Sequence, residues 1–388
     1  MPSRKRSTSG LAGCPGRGPV LLACLAGTVL GLAAGGTSAA DGNGGQPQGP
    51  QEKHPAAAAP LPATVPAAAA AAYQVAEDAA LIRIETPELA AAVRKKAYVT
   101  GVAAQSLLDK KSGFRDPGFG LDIVDWIMEP GSDAAYRDGL DPELIYRNDG
   151  PFRLYHGARP KRSIEGPQIC TKAGQLQPSI LRGKDFVAVR QQFTYRTAAP
   201  GKTAGSVWTQ LLVFPADKRY FLAMDRIDAV NSSEAMFLRI DMPGHVRHTR
   251  GDTFSEIYLS YRGRIPAKEF LADFAPDERF DYRRDRDPLP ERFIRGYRLR
   301  DPATGKDGPW LAGMTLEPSV VCEAWCHQRG YVCMIEEFGG RPIRPGQSFR
   351  AAFLVGYFDS LEEIQRVYDA HKGHTGLEAT ADGWKLLK

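Results

Sequence analysis

The sequence has no apolar run long enough to cross a bilayer as a helix, which takes about 20 residues; its one candidate, residues 19–32, stops short. It has no GxSxG elbow, no P-loop, no GxGxxG between a strand and a helix, and no HExxH. The hydrolase, nucleotide and zincin chemistries that depend on those spacings are therefore not indicated. No repeat of fixed period occurs, and helical periodicity is scarce.

Cysteine is also scarce, with six in 388 residues. Cys14 has no apolar run before it and Cys24 almost none, so lipid attachment is not expected. Cys170, Cys322, Cys326 and Cys333 lie further on. The last three resemble a metal spacing. Residues 320–327, however, read as a strand that puts Cys322 and Cys326 on one face as ordinary apolar residues. Buried thiols or one cross-strand disulfide are expected, and no metal site.

An excess of charge of one sign is missing once the N-terminus is set aside. Arg4, Lys5, Arg6 and Arg17 open the chain, an apolar run follows, and Thr37-Ser-Ala-Ala-Asp41 supplies small residues for cleavage. That order reads as a secretory signal over residues 1–40, with export to the periplasm or beyond and no membrane span after cleavage. Residues 41–72 are mostly Gly, Gln, Pro and Ala, which reads as a disordered linker. Removing four basic groups from 50 leaves 46 Lys and Arg against 45 acids, so no nucleic-acid partner is implied. Arg still dominates the basic set between residues 239 and 300, with thirteen Arg to one Lys. Arg suits carboxylates and sulfates, but it also suits a salt-bridged surface.

What remains, residues 73–388, is mostly short β-type runs separated by turn residues. Only Ser360-Leu-Glu-Glu363 announces a clear helix, to about His371, with a short one at residues 266–274. The pattern predicts an all-β, mostly antiparallel fold: a large β-sandwich or supersandwich with a short C-terminal helix. Residues 141–168 and 243–253 read as loops that a rigid sheet could carry into a site.

The order of parts resembles the galactose-mutarotase-like supersandwich. An opening strand pair reaches the Ser106-Leu-Leu-Asp-Lys-Lys-Ser-Gly113 hairpin, long paired strands follow, and Gly340-Arg-Pro-Ile-Arg-Pro-Gly-Gln-Ser-Phe349 precedes a closing strand and helix. The resemblance spans residues 80–370 and is architectural. It implies a carbohydrate-active protein, such as a sugar epimerase, a polysaccharide lyase or a glycosidase-associated domain, and a polysaccharide or oligosaccharide as partner. Fold alone does not choose among them.

The densest polar cluster is Arg239, Asp241, His245, Arg247 and His248, followed by Glu256, Tyr258 and Tyr261. It suits β-elimination from a uronate glycan. Arg239 would neutralise the carboxylate, His245 or His248 would act as base, and Tyr258 would act as acid. A polysaccharide lyase is thus the leading expectation. A sugar epimerase or mutarotase, in which His and a carboxylate exchange protons at one carbon, is the alternative, and a non-catalytic glycan-binding envelope protein is the third. A structural Arg239–Asp241 salt bridge with surface histidines is the plainer outcome. Hydrolysis would need a carboxyl pair from Asp225, Asp241, Glu256 and Glu323, and nothing selects one. Substrate would lie along His156, Trp208, Gln210, Arg226 and Trp325. Trp325 shares a strand face with Glu323 and His327, opposite the cysteines. No cofactor is expected. A metal is left open through Asp241, His245, His248 and Asp252; calcium is possible, although a hard cation would want more carboxylates.

Overall fold

Alternating side chains give each strand one apolar face, and burying that face requires a second layer. The computed structural model describes residues 72–144, 160–248, 252–275, 278–328 and 330–388. His156, the expected signal and all but the last residue of the expected linker lie outside them. Two large sheets pack face to face. One has nine strands, in the order Ser179–Arg182, Phe186–Thr194, Val207–Pro215, Tyr220–Asp228, Ser348–Phe358, Asp307–Thr315, Phe293–Arg300, Phe254–Leu259 and Gly263–Pro266. The other has seven: Thr197–Ala198, Lys161–Gly166, Ile123–Pro130, Ser233–Arg247, Tyr331–Ile343, Val321–Gln328 and Tyr282–Arg283. The pairings are antiparallel throughout. The all-β sandwich read from the sequence is the architecture observed.

The core between the sheets takes Val189, Leu212, Phe221 and Phe353 from the first and Leu238, Ile240, Val332 and Met334 from the second. A smaller N-terminal sheet adds Ile82, Ile84 and Val93. Helix Leu361–His371 and the strands Gly376–Thr380 and Gly383–Leu387 cover the outer face of the nine-stranded sheet. There, Ile364, Tyr368 and Leu377 meet Leu222, Met314 and Leu354. Ser360 caps the helix by accepting from the Glu363 amide at 3.2 Å, and Glu363 returns the bond to the Asp359 amide at 2.6 Å. Among the described residues no helix is long and apolar enough to cross a membrane.

Three local expectations are corrected. The helix at 266–274 is one 3-10 turn, Ala267–Phe270. Residues 243–247 are no loop but the last part of a fifteen-residue strand. The four described cysteines are thiols, one of the two outcomes expected, but Cys322 and Cys326 do not share a face: a bulge at Cys322 turns it towards Phe237 while Cys326 stays in the core.

Candidate functional site

On strand Ser233–Arg247, Leu238 and Ile240 enter the core, so Arg239 and Asp241 point to the other face of the seven-stranded sheet. Across strand Tyr331–Ile343, Arg239 stands opposite Glu337, Asp241 opposite Ile335 and His245 opposite Cys333. Four residues on one strand are thus matched by two on its neighbour, and Met242-Pro243-Gly244 forms a bulge. Four regular strand residues would separate Asp241 and His245 by about 13 Å. With the bulge, Asp241 Oδ2 lies 2.9 Å from His245 Nε2. Gly244 makes this possible: its φ is +132°, and a Cβ there would sit 2.0 Å from the Gly120 carbonyl oxygen.

The next strand, Val321–Gln328, extends each row: Glu323 opposite Glu337, Trp325 opposite Ile335, and His327 opposite Cys333. The first row is a charge network. Arg239 donates to Glu337 through Nε at 2.9 Å and through Nη2. Lys161 donates to Glu323 at 2.7 Å and to Glu337. Both cations lie near the Trp325 ring, Lys161 4.9 Å and Arg239 5.1 Å from its centroid. The last row joins His245, Cys333 and His327 under Tyr331, whose ring centroid is 5.3 Å from His245 and 6.1 Å from His327. Cys333 Sγ lies 3.0 Å from Asp241 Oδ1. Behind the rows, buried Asp125 accepts from Gln168 at 2.7 Å and meets Cys170 Sγ at 3.4 Å.

The two histidines of the last row have opposed environments. Burial disfavours a charged His245, but the Asp241 carboxylate outweighs it and raises the pKa. Burial, then the His245 charge, pushes His327 down to about 3. Burial also pushes Asp125 up to about 6, with Asp241 adding to the rise. For Asp241 burial is again opposed, and the neighbouring His245 holds the carboxyl below its ordinary range. Divergent proton affinities within one small volume are a recurring feature of acid–base sites.

The structure divides the residues singled out from the sequence. Arg239, His245 and Trp325 share this face, with Trp325 beside Glu323 and His327 as the alternation implied. Arg239 pairs with Glu337, not Asp241. His248 is on the other side of the strand, fully buried, its ring stacked 3.6 Å from Phe254 and its Nδ1 3.0 Å from Thr253 Oγ1. An odd spacing from His245 explains the separation, and burial pushes the His248 pKa down to about 4. This also breaks up the metal set of Asp241, His245, His248 and Asp252.

Tyr258 belongs to the nine-stranded sheet, where its ring meets Trp310 at 6.5 Å and it lines a cavity of about 410 Å³ that Arg239, His245 and Trp325 do not reach. Trp208 and Gln210 are interior: Trp208 donates to Asp225 at 2.7 Å, and Gln210 accepts from the Gly101 amide at 2.9 Å and donates to Asp122 at 3.1 Å. Arg226 is on the nine-stranded sheet, paired with Asp228. The acids considered for hydrolysis are dispersed, with Asp225 interior, Glu256 held by Arg264, and Glu323 by Lys161. Asp125, Lys161, Tyr331, Cys333 and Glu337 were not singled out as site residues. Only strand pairing brings them to the cluster, and pairing carries no local signal.

No protein-family model matches the chain, and no curated protein matches it. Solved structures do. A galactose 1-epimerase from Lactobacillus acidophilus is 9% identical over 74% of this chain and 98% of its own, with a TM-score of 0.38. A galactose mutarotase-like protein from Clostridium acetobutylicum is 8% identical over 74% and 98%, with a TM-score of 0.40. A 4-alpha-glucanotransferase from Thermococcus litoralis is 9% identical over 74% of this chain and 39% of its own, at 0.33. The first two bear names of the group that the sequence resembled. At this level of similarity they carry no argument about activity.

Proposed function

We propose that the chain is a carbohydrate-active enzyme of the sugar epimerase or mutarotase type, inverting the configuration at one carbon of a sugar. The observation that carries this reading is the row His245–Cys333–His327, with Asp241 2.9 Å from one histidine. Ring opening at an anomeric centre needs a donor for the ring oxygen and an acceptor for the hydroxyl proton. His245, beside a carboxylate, takes the donor role, and His327 across Cys333 takes the acceptor role. Elimination fits less well. Its carboxylate clamp, Arg239, is already committed to Glu337, and its acid, Tyr258, stands on the other sheet.

The test is polarimetry and exchange NMR on a panel of neutral and acidic sugars. Interconversion above the spontaneous rate is expected, with His245→Ala and His327→Ala each losing at least about a hundredfold. Undiminished activity in both variants would place the chemistry elsewhere. An unsaturated uronate formed from a polyuronate would establish elimination instead, and sugar binding without turnover would favour a binding module.

A further inference from the structure

Asp241, His245 and Cys333 each offer one ligand atom, and those atoms lie within 4.8 Å of one another. Asp241 touches both partners, Oδ2 at 2.9 Å from Nε2 and Oδ1 at 3.0 Å from Sγ. His245 is 8% exposed, and its Nε2 is buried against the Asp241 carboxylate. A nitrogen, a carboxylate oxygen and a sulfur gathered this closely are placed as the ligands of one ion would be. Zinc bonds of about 2.0–2.3 Å to N, O and S are compatible with ligand atoms at such separations after small movements.

We propose that Asp241, His245 and Cys333 form a zinc-binding site whose fourth position is open. A thiolate, an imidazole and a carboxylate suit zinc, whereas calcium and magnesium require oxygen ligands. The two anionic ligands balance the ion's charge. On binding, the Cys333 thiol gives up its proton to solvent and its sulfur bonds the metal. The ion would then hold the nitrogen and the carboxylate used for proton transfer, so zinc switches that activity off. This inhibitory half rests on the epimerase or mutarotase reading. The binding half does not.

The full chain, stripped with a chelator, is titrated with cobalt(II), which reports a thiolate ligand by a near-ultraviolet charge-transfer band. One saturable band per chain is expected, and zinc should displace it. Cys333→Ser should abolish the band and weaken zinc at least about tenfold, with His245→Ala weakening it comparably. Cys326→Ser removes a core-facing thiol on the neighbouring strand and should keep the band, while circular dichroism confirms that each variant is folded. A folded wild-type protein without the band, or a Cys333→Ser protein that retains it, overturns the site. Activity in the metal-free protein that falls with the same zinc dependence as cobalt displacement supports the inhibitory half, and binding that leaves activity unchanged overturns that half. If the metal-free protein has no sugar-interconverting activity, the proposed function and the inhibitory half fail together, while the cobalt result stands by itself.

Discussion

Arg239 shows why a residue's chemistry cannot be read without its partner. An Arg beside His and Tyr suggests a clamp for an anionic substrate, yet Glu337, remote in the chain, occupies its guanidinium. Both side chains are almost wholly buried, so removing one partner strands the other's charge, at a typical cost of about 3–5 kcal/mol. Lys161 still faces Glu337, so Arg239→Met should lower unfolding free energy in urea by a smaller amount, about 2–3 kcal/mol. The double variant Arg239→Met/Glu337→Leu should recover part of the loss. Wild-type stability in Arg239→Met, together with weakened substrate binding, would instead return Arg239 to the clamp role. Trp208 and Gln210 misled in the same way. A polar residue in an apolar strand reads as a site, but these two belong to an interior network with Asp122 and Asp225.

At the scale of elements, legibility follows how local the determining interaction is. The C-terminal helix was legible because Ser360 and Glu363 satisfy each other's neighbouring amides across one turn. The bulge at Met242-Pro243-Gly244 was not, since two extra residues count as extra only against Ile335 and Cys333 on another strand. Pro-Gly alone reads as a turn, which is why a loop was expected. The bulge makes a sharp demand on Gly244, whose missing Cβ leaves room for the Gly120 carbonyl. Gly263 also has a positive φ, of +90°, but open space around it. Gly263→Ala should therefore cost only about 1 kcal/mol, from backbone strain. Gly244→Ala should cost at least about 2 kcal/mol more, because strain and backbone collision add. Urea unfolding of the two variants measures the difference, and equal losses would mean that the close approach to Gly120 does not constrain the bulge.

For the whole molecule, strand-rich alternation with few helices was enough to give two layers of antiparallel sheet. It was not enough to give their order: Ser348–Phe358, near the end of the chain, lies between Tyr220–Asp228 and Asp307–Thr315. Long-range closure of this kind buries acids as well as apolar groups. Burial pushes Asp225 up to about 7, against hydrogen bonds from Trp208, Asp122 and Gln210. Asp122 is raised too, by burial and then by the charges of Asp225 and Glu336. The folded state therefore keeps protons that an unfolded carboxyl releases near pH 3.9, to about the ordinary value. The Asp225 contribution is complete below that point and is lost as pH rises through about 7, and Asp122 acts in the same direction. Asp116, raised to about 7 by burial, acts in the same direction, whereas Asp241, held low by His245, contributes above its ordinary range and loses that contribution in acid. Urea midpoints should accordingly fall between about pH 4 and pH 7. Asp225→Asn, which keeps an acceptor for Trp208 and removes the titration, should flatten that fall. If the wild-type and Asp225→Asn midpoints decline in parallel, the carboxyl pair is not the source of the slope.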